Sequence, residues 1–155
     1  MKKIISLVLI SALGGCTTHY RQFAAPEISG EPLLEIRNTQ SPGDVRTVLT
    51  DGITTIKGSY YELNERLIAR TQQAAITKQI NKFDKVIDLK ILSVRCGGHF
   101  IPDCESTAEA QIGDKSFVMQ SSNRNGHPWD SALDKTLDEI SEKLMAHINQ
   151  EGFDN

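Results

Sequence analysis

The stretch RCGGHFIPDC, residues 95–104, gathers the residue types that do chemistry: two cysteines, a histidine midway between them, an arginine and an aspartate. Three chemistries use such a set. A structural zinc site needs four good ligands. Cys96, His99 and Cys104 supply three, and Asp103 is the candidate fourth, at a spacing unusual for zinc. A thiol–disulfide redox centre uses the compact C-x-x-C spacing at a helix start, which lowers a thiol pKa; neither feature is present. A structural disulfide needs only two strand ends facing each other and an oxidising compartment. The compartment therefore decides, and the evidence for it lies at the other end of the chain.

The chain opens MKKIISLVLISALGGC. Lys2 and Lys3 make a basic start, and Ile4 to Leu13 a short apolar run, well below the roughly 20 residues of a membrane-spanning helix. Basic residues, a short apolar run and small residues at its end read as a secretory signal peptide over residues 1–15. Its end, Leu13-Gly14-Gly15-Cys16, resembles the lipobox of bacterial lipoproteins. That resemblance implies a diacylglyceryl group on the Cys16 thiol, cleavage before Cys16 and further acylation of the freed amine. One acyl chain holds weakly, and two or three hold effectively permanently. Thr17 follows Cys16 where an inner-membrane retention signal would have aspartate, so the resemblance also implies the outer membrane.

An exported chain meets oxidising conditions, and this weights RCGGHFIPDC toward a Cys96–Cys104 disulfide, with the metal and redox readings as alternatives. Closing so short a loop is worth roughly 2.5 kcal/mol in the chain-entropy model. The enclosed Phe100 and Ile101 are large apolar side chains at a loop tip. Either they fold back on the sheet or, held rigid, they form a partner-binding surface.

Nothing else in the sequence makes an active site. His19, His99, His127 and His147 are scattered, and there is no G-x-S-x-G, H-E-x-x-H or phosphate-binding glycine loop. We therefore expect no catalytic residues, no metal and no cofactor. NRNGHPWD, residues 123–130, mixes Arg124, His127, Trp129 and Asp130, but reads first as a loop with Pro128 placed to start a helix. Asp103 and Glu105 are candidates to pair with Arg95. The formal charge is −3, or −5 after loss of Lys2 and Lys3, with no basic cluster to suggest nucleic acid.

The elements that position these residues follow from hydrophobic period. Residues 16–32 contain Pro26, Gly30 and Pro32 with no apolar period, and read as a lipidated N-terminus and flexible tether. Residues 33–155 then form one α+β domain. LLEIR is a short strand. VRTVLTDGITTIK is a hairpin whose Asp51-Gly52 suits a type I′ turn. From Ser59 to about Phe83 the chain lacks Gly and Pro and carries an apolar helical face led by Leu63 and Leu67. Tyr60 and Tyr61 at its start are candidates either to cap the core or to anchor a partner. KVIDLKILSVRC has apolar residues on both faces and reads as a central strand. CESTAEAQI alternates strictly, and KSFVMQSS returns after Gly113-Asp114. Trp129, Leu133, Leu137, Ile140, Leu144 and Ile148 stripe a last helix. The expected architecture is a two-layer sandwich: an antiparallel sheet with two helices on one face.

From Leu63 onward, LNERLIARTQQAAITKQI, then KVIDLKILSV, a hairpin and SALDKTLDEISEKLMAHI resemble in layout small outer-membrane lipoproteins. These are the auxiliary lipoproteins of lipid transporters and the lipoprotein that plugs the lipopolysaccharide translocon. The resemblance implies a non-catalytic binding or assembly module of a cell-envelope complex, held to the membrane by its N-terminal lipid, its domain in the periplasm. The other readings of the sequence are a periplasmic carrier of an apolar ligand and a cell-envelope hydrolase.

Overall fold

The computed structural model describes residues 16–80, 83–98, 102–124 and 128–153, with the side chains of 151–153 excepted. The signal segment, His99, Phe100, Ile101 and His127 lie outside the described residues. Seven strands and two helices follow in the order β1 (Thr17–Arg21), β2 (Leu34–Asn38), β3 (Val45–Thr50), β4 (Thr54–Ser59), α1 (Tyr60–Thr77), β5 (Phe83–Gly97), β6 (Asp103–Ile112), β7 (Lys115–Arg124) and α2 (Trp129–Phe153). They make an α+β sandwich of one sheet under two helices.

The strand β5 spans 15 residues and organises the sheet. β6 pairs antiparallel along one side of it and β7 continues the meander, as the alternation of CESTAEAQI requires. The other side of β5 is shared: β2 runs parallel to its first half, and β3 meets its far end at Leu49 and Cys96. β4 folds back antiparallel on β3, and β1 closes the edge parallel to β4. The sheet is therefore mixed rather than wholly antiparallel. β1 and β2 each precede a long excursion before their partner strand, and such connections permit parallel pairing.

The core lies between sheet and helices. Ile87, Leu89 and Ile91 of β5 and Leu133, Leu137, Ile140 and Leu144 of α2 are fully buried. Ser106 and Thr136, the buried polar pair between β6 and α2, hydrogen-bond at 2.7 Å, as buried hydroxyls must. The helices run parallel, joined on their outer sides by Arg66–Asp134, Arg70–Asp138 and Lys78–Glu142.

Helix α1 starts as its sequence dictates: Ser59 Oγ accepts from the Glu62 amide at 3.2 Å, an N-cap. It ends six residues earlier than the absence of Gly and Pro suggests. Gln79 takes a left-handed conformation (φ 52°). Its amide bonds the Ile76 carbonyl, and the Ile80 amide bonds that of Ala75. This is a Schellman ending built without its usual glycine.

The β3–β4 hairpin stands, but its turn is not type I′. Only Gly52 has positive φ (94°), and the Asp51 carboxylate accepts from the amides of Ile53 and Thr54. The side chain closes an Asx-type turn, so Asp51 stays on the common side of φ.

The expected tether at residues 16–32 is docked. β1 pairs with β4, and residues 22–33 run as a strap along α1. Phe23 donates its amide to Glu62 at 2.9 Å, the Ala24 carbonyl accepts from Arg66, and Ser29 bonds Gln73. The amides of Leu33 and Leu34 both reach Gln72. Backbone groups without sheet partners are thus satisfied by side chains of α1. Phe23 itself is only 3% exposed.

Candidate functional site

The register of β5 and β6 sets Cys96 directly opposite Cys104. Their Cα atoms are 4.1 Å apart and their sulfurs 2.02 Å apart, the distance of a disulfide. Both are buried, and Cys104 Sγ lies 3.5 Å from the Trp129 carbonyl oxygen. The clip thus ties the ends of two central strands where α2 begins. Phe100 and Ile101, the candidate partner-binding pair inside it, fall outside the described residues. Among the described residues no three of His, Cys, Asp and Glu gather to hold a metal.

Strand directions decide what surrounds the clip. β3 ends beside Cys96, β4 and β1 begin at that level, and β7 ends there too. One end of the sheet therefore collects the clip, the β3–β4 turn and Cys16, which is free and exposed. Thr17, the next residue, is already in β1, its amide bonded to the Ile53 carbonyl at 3.0 Å. Ile53 is 69% exposed.

Trp129, at the head of α2, is half-buried. Phe23 meets it edge-on at 6.3 Å, and the Arg21 guanidinium sits 4.7 Å from the ring centroid while pairing with Asp130 at 2.5 Å. The ring is thus engaged in an edge-to-face packing contact and a cation–π contact.

Tyr60 is core rather than surface anchor. At 2% exposure its hydroxyl donates to the Val94 carbonyl (3.1 Å) and accepts from the Val94 amide (2.8 Å), with Arg46 over the ring. Burial pushes its pKa up, against the weaker effects of the Val94 hydrogen bond and Arg46. His147 stacks on Phe117 at 4.3 Å, and His19 is exposed on β1. The histidines described are thus far apart. Asp103 approaches Arg124 at 3.7 Å, and Glu105 lies opposite Arg95 in the ladder.

The surface recesses among the described residues include two that adjoin α2. A polar one of about 530 Å³ wraps the β6–β7 side and is lined by Arg95, Glu105, Thr107, Gln120, Glu139 and Lys143. Within it the Ser121 hydroxyl donates to Glu139, and Lys143 donates to the Gln120 carbonyl. These polar groups are engaged with each other. A second, of about 400 Å³, lies where the strap crosses the two helices. Pro26, Arg70, Ala74, Thr77, Lys78 and Glu142 are among the residues that line it.

No model of a known protein family matches the sequence, and no curated protein matches it. Among solved structures, the chain is similar to a Xanthomonas campestris protein of family-model DUF330 at 12% identity. The likeness covers 91% of this chain and 89% of that one, with a TM-score of 0.45. It is also similar to a structure described as an uncharacterized protein, at 7% identity over 86% of this chain and 97% of that one, with a TM-score of 0.36. No helix among the described residues is long and apolar enough to cross a membrane.

Sequence reasoning missed the strap. Its signal was present in Phe23, the one phenylalanine in a segment otherwise poor in large apolar residues, with Glu62, Gln72 and Gln73 spaced along α1 to receive the backbone.

Proposed function

We propose that the chain is a lipoprotein, anchored through acyl chains on Cys16 in the outer membrane. Its α+β domain serves in the periplasm as a non-catalytic binding or assembly module of a cell-envelope complex. The observation that carries this reading is the placement of Cys16. The cysteine ending LGGC is free and exposed, immediately before an edge strand. A second feature supports the binding role. The helices cover one face of the sheet, and the other, with Lys90, Arg95, Glu105, Val118, Gln120 and Ser122 exposed, is open to a partner.

Cys16→Ser should leave the chain unprocessed or move it from the membrane to the soluble fraction; unchanged fractionation would rule out the anchor. For the module, a photo-crosslinking residue at Val118 in intact cells should capture one envelope protein reproducibly. No adduct from Val118, Gln120 and Ser122 at native expression would overturn the binding role.

A further inference from the structure

We infer that the end of the sheet carrying the β3–β4 turn rests directly on the lipid surface, with Ile53 set among the headgroups and the strands rising away from the membrane. This rests on the anchor at Cys16 and adds an orientation to it. An anchor followed by a flexible tether leaves a domain free to stand off and tumble. Here no tether exists, because Thr17 is paired with Thr54 and hydrogen-bonded to Ile53. A residue spans at most about 3.6 Å of chain, so lipid on Cys16 holds the turn within about one residue's length of the acyl chains.

The side chains at this tip suit that position. Ile53 is a large apolar group and is 69% exposed. The one acid of the turn, Asp51, directs its carboxylate back into the amides of Ile53 and Thr54 instead of outward. The residues of β1 nearest the anchor, Thr17 and Thr18, are small and uncharged. β1 is further held by the strap and by Arg21 on Asp130 and Trp129, so the orientation passes rigidly to the body of the domain. Lipid, rather than a protein, is the occupant favoured because the anchor itself places lipid there.

The test uses the full chain, processed in cells and reconstituted into vesicles of phosphatidylethanolamine and phosphatidylglycerol. Ile53→Cys, and separately Asp114→Cys in the β6–β7 turn at the opposite end, would each carry an environment-sensitive fluorophore. Lipids bearing a spin label near the headgroup act as quenchers. At 3.3 Å per residue the two sites are about 30 Å apart along the sheet. The expected result is a blue-shifted label at 53, quenched several-fold more strongly than the one at 114. Water-like emission and equal quenching at both sites, on protein that floats with the vesicles, would overturn the orientation and leave the anchor standing. Protein that does not float at all would overturn both. A label at 53 shielded in intact cells but not in vesicles would assign the tip to a protein and reject the lipid contact.

Discussion

Gly58 carries no side chain because the Phe23 ring occupies the space: a Cβ built there would stand 2.1 Å from ring Cε2. Gly58→Ala should destabilise the domain by about 1–3 kcal/mol through overpacking, and Phe23→Ala by about 3–5 kcal/mol through the cavity it leaves. The double variant should lose clearly less than the sum, since removing the ring makes room for the methyl; urea denaturation of the four proteins measures the coupling. Tyr60 offers a second check. Its pKa is raised by burial, so the neutral phenol contributes its full stability below the ordinary value near 10 and loses it as pH climbs toward the folded value. In an alkaline absorbance titration one of the three tyrosines should ionise late. Tyr60→Phe should remove that late step while Tyr20→Phe leaves it in place. At Gln79 a non-glycine residue bears a left-handed φ of 52°. Gln79→Gly should raise stability by up to about 1 kcal/mol in thermal unfolding.

At the scale of elements, strands with a buried face were legible from sequence and strands without one were not. CESTAEAQI alternates because β6 has one face on the core, and β7 and β5 follow the same logic. β1 is exposed along its length, so no periodicity marks it; its pairing is set by backbone hydrogen bonds, to which any sequence contributes alike. The same reasoning covers α1. Its start is written in Ser59, but its end depends on one residue accepting an unusual φ, which composition does not announce. The cysteine pair was legible because two strand ends flank one short loop and the signal-like N-terminus weighted the disulfide over the metal and redox alternatives, while the surroundings of the clip depend on β3 and β1 arriving from elsewhere in the chain. Removing the clip by Cys96→Ala with Cys104→Ala should cost roughly 2.5 kcal/mol. Urea denaturation of the wild-type chain with and without reductant should show the same loss, and non-reducing mass spectrometry should find the two residues linked.

For the whole molecule, the docked strap changes what the N-terminus can do. A tether would separate an anchor from the domain; an anchor on Cys16, as we propose, would stand one residue from a strand whose neighbours extend through the sheet to β7. Reach away from a membrane would then come from strand length. The 15 residues of β5 span roughly 45–50 Å at the usual rise. In the proposed lipoprotein the open face of β5–β7 would be presented side-on, along the height of the domain, to a partner beside it in the envelope.

The pairing of β1 with β4 also sets an order in time. The first strand of the sheet must wait for a partner 37 positions further along the chain, Thr17 against Thr54, and the strap must wait for α1 beyond that. Parallel, non-local contacts of this kind form late. While a nascent chain emerges amino end first, Cys16 and its neighbours would therefore stay extended, open to the modification we propose. Completion of the fold then fixes Thr17–Arg21 in the sheet and leaves Cys16 exposed beside it, so the proposed processing would meet an extended segment before the sheet closes.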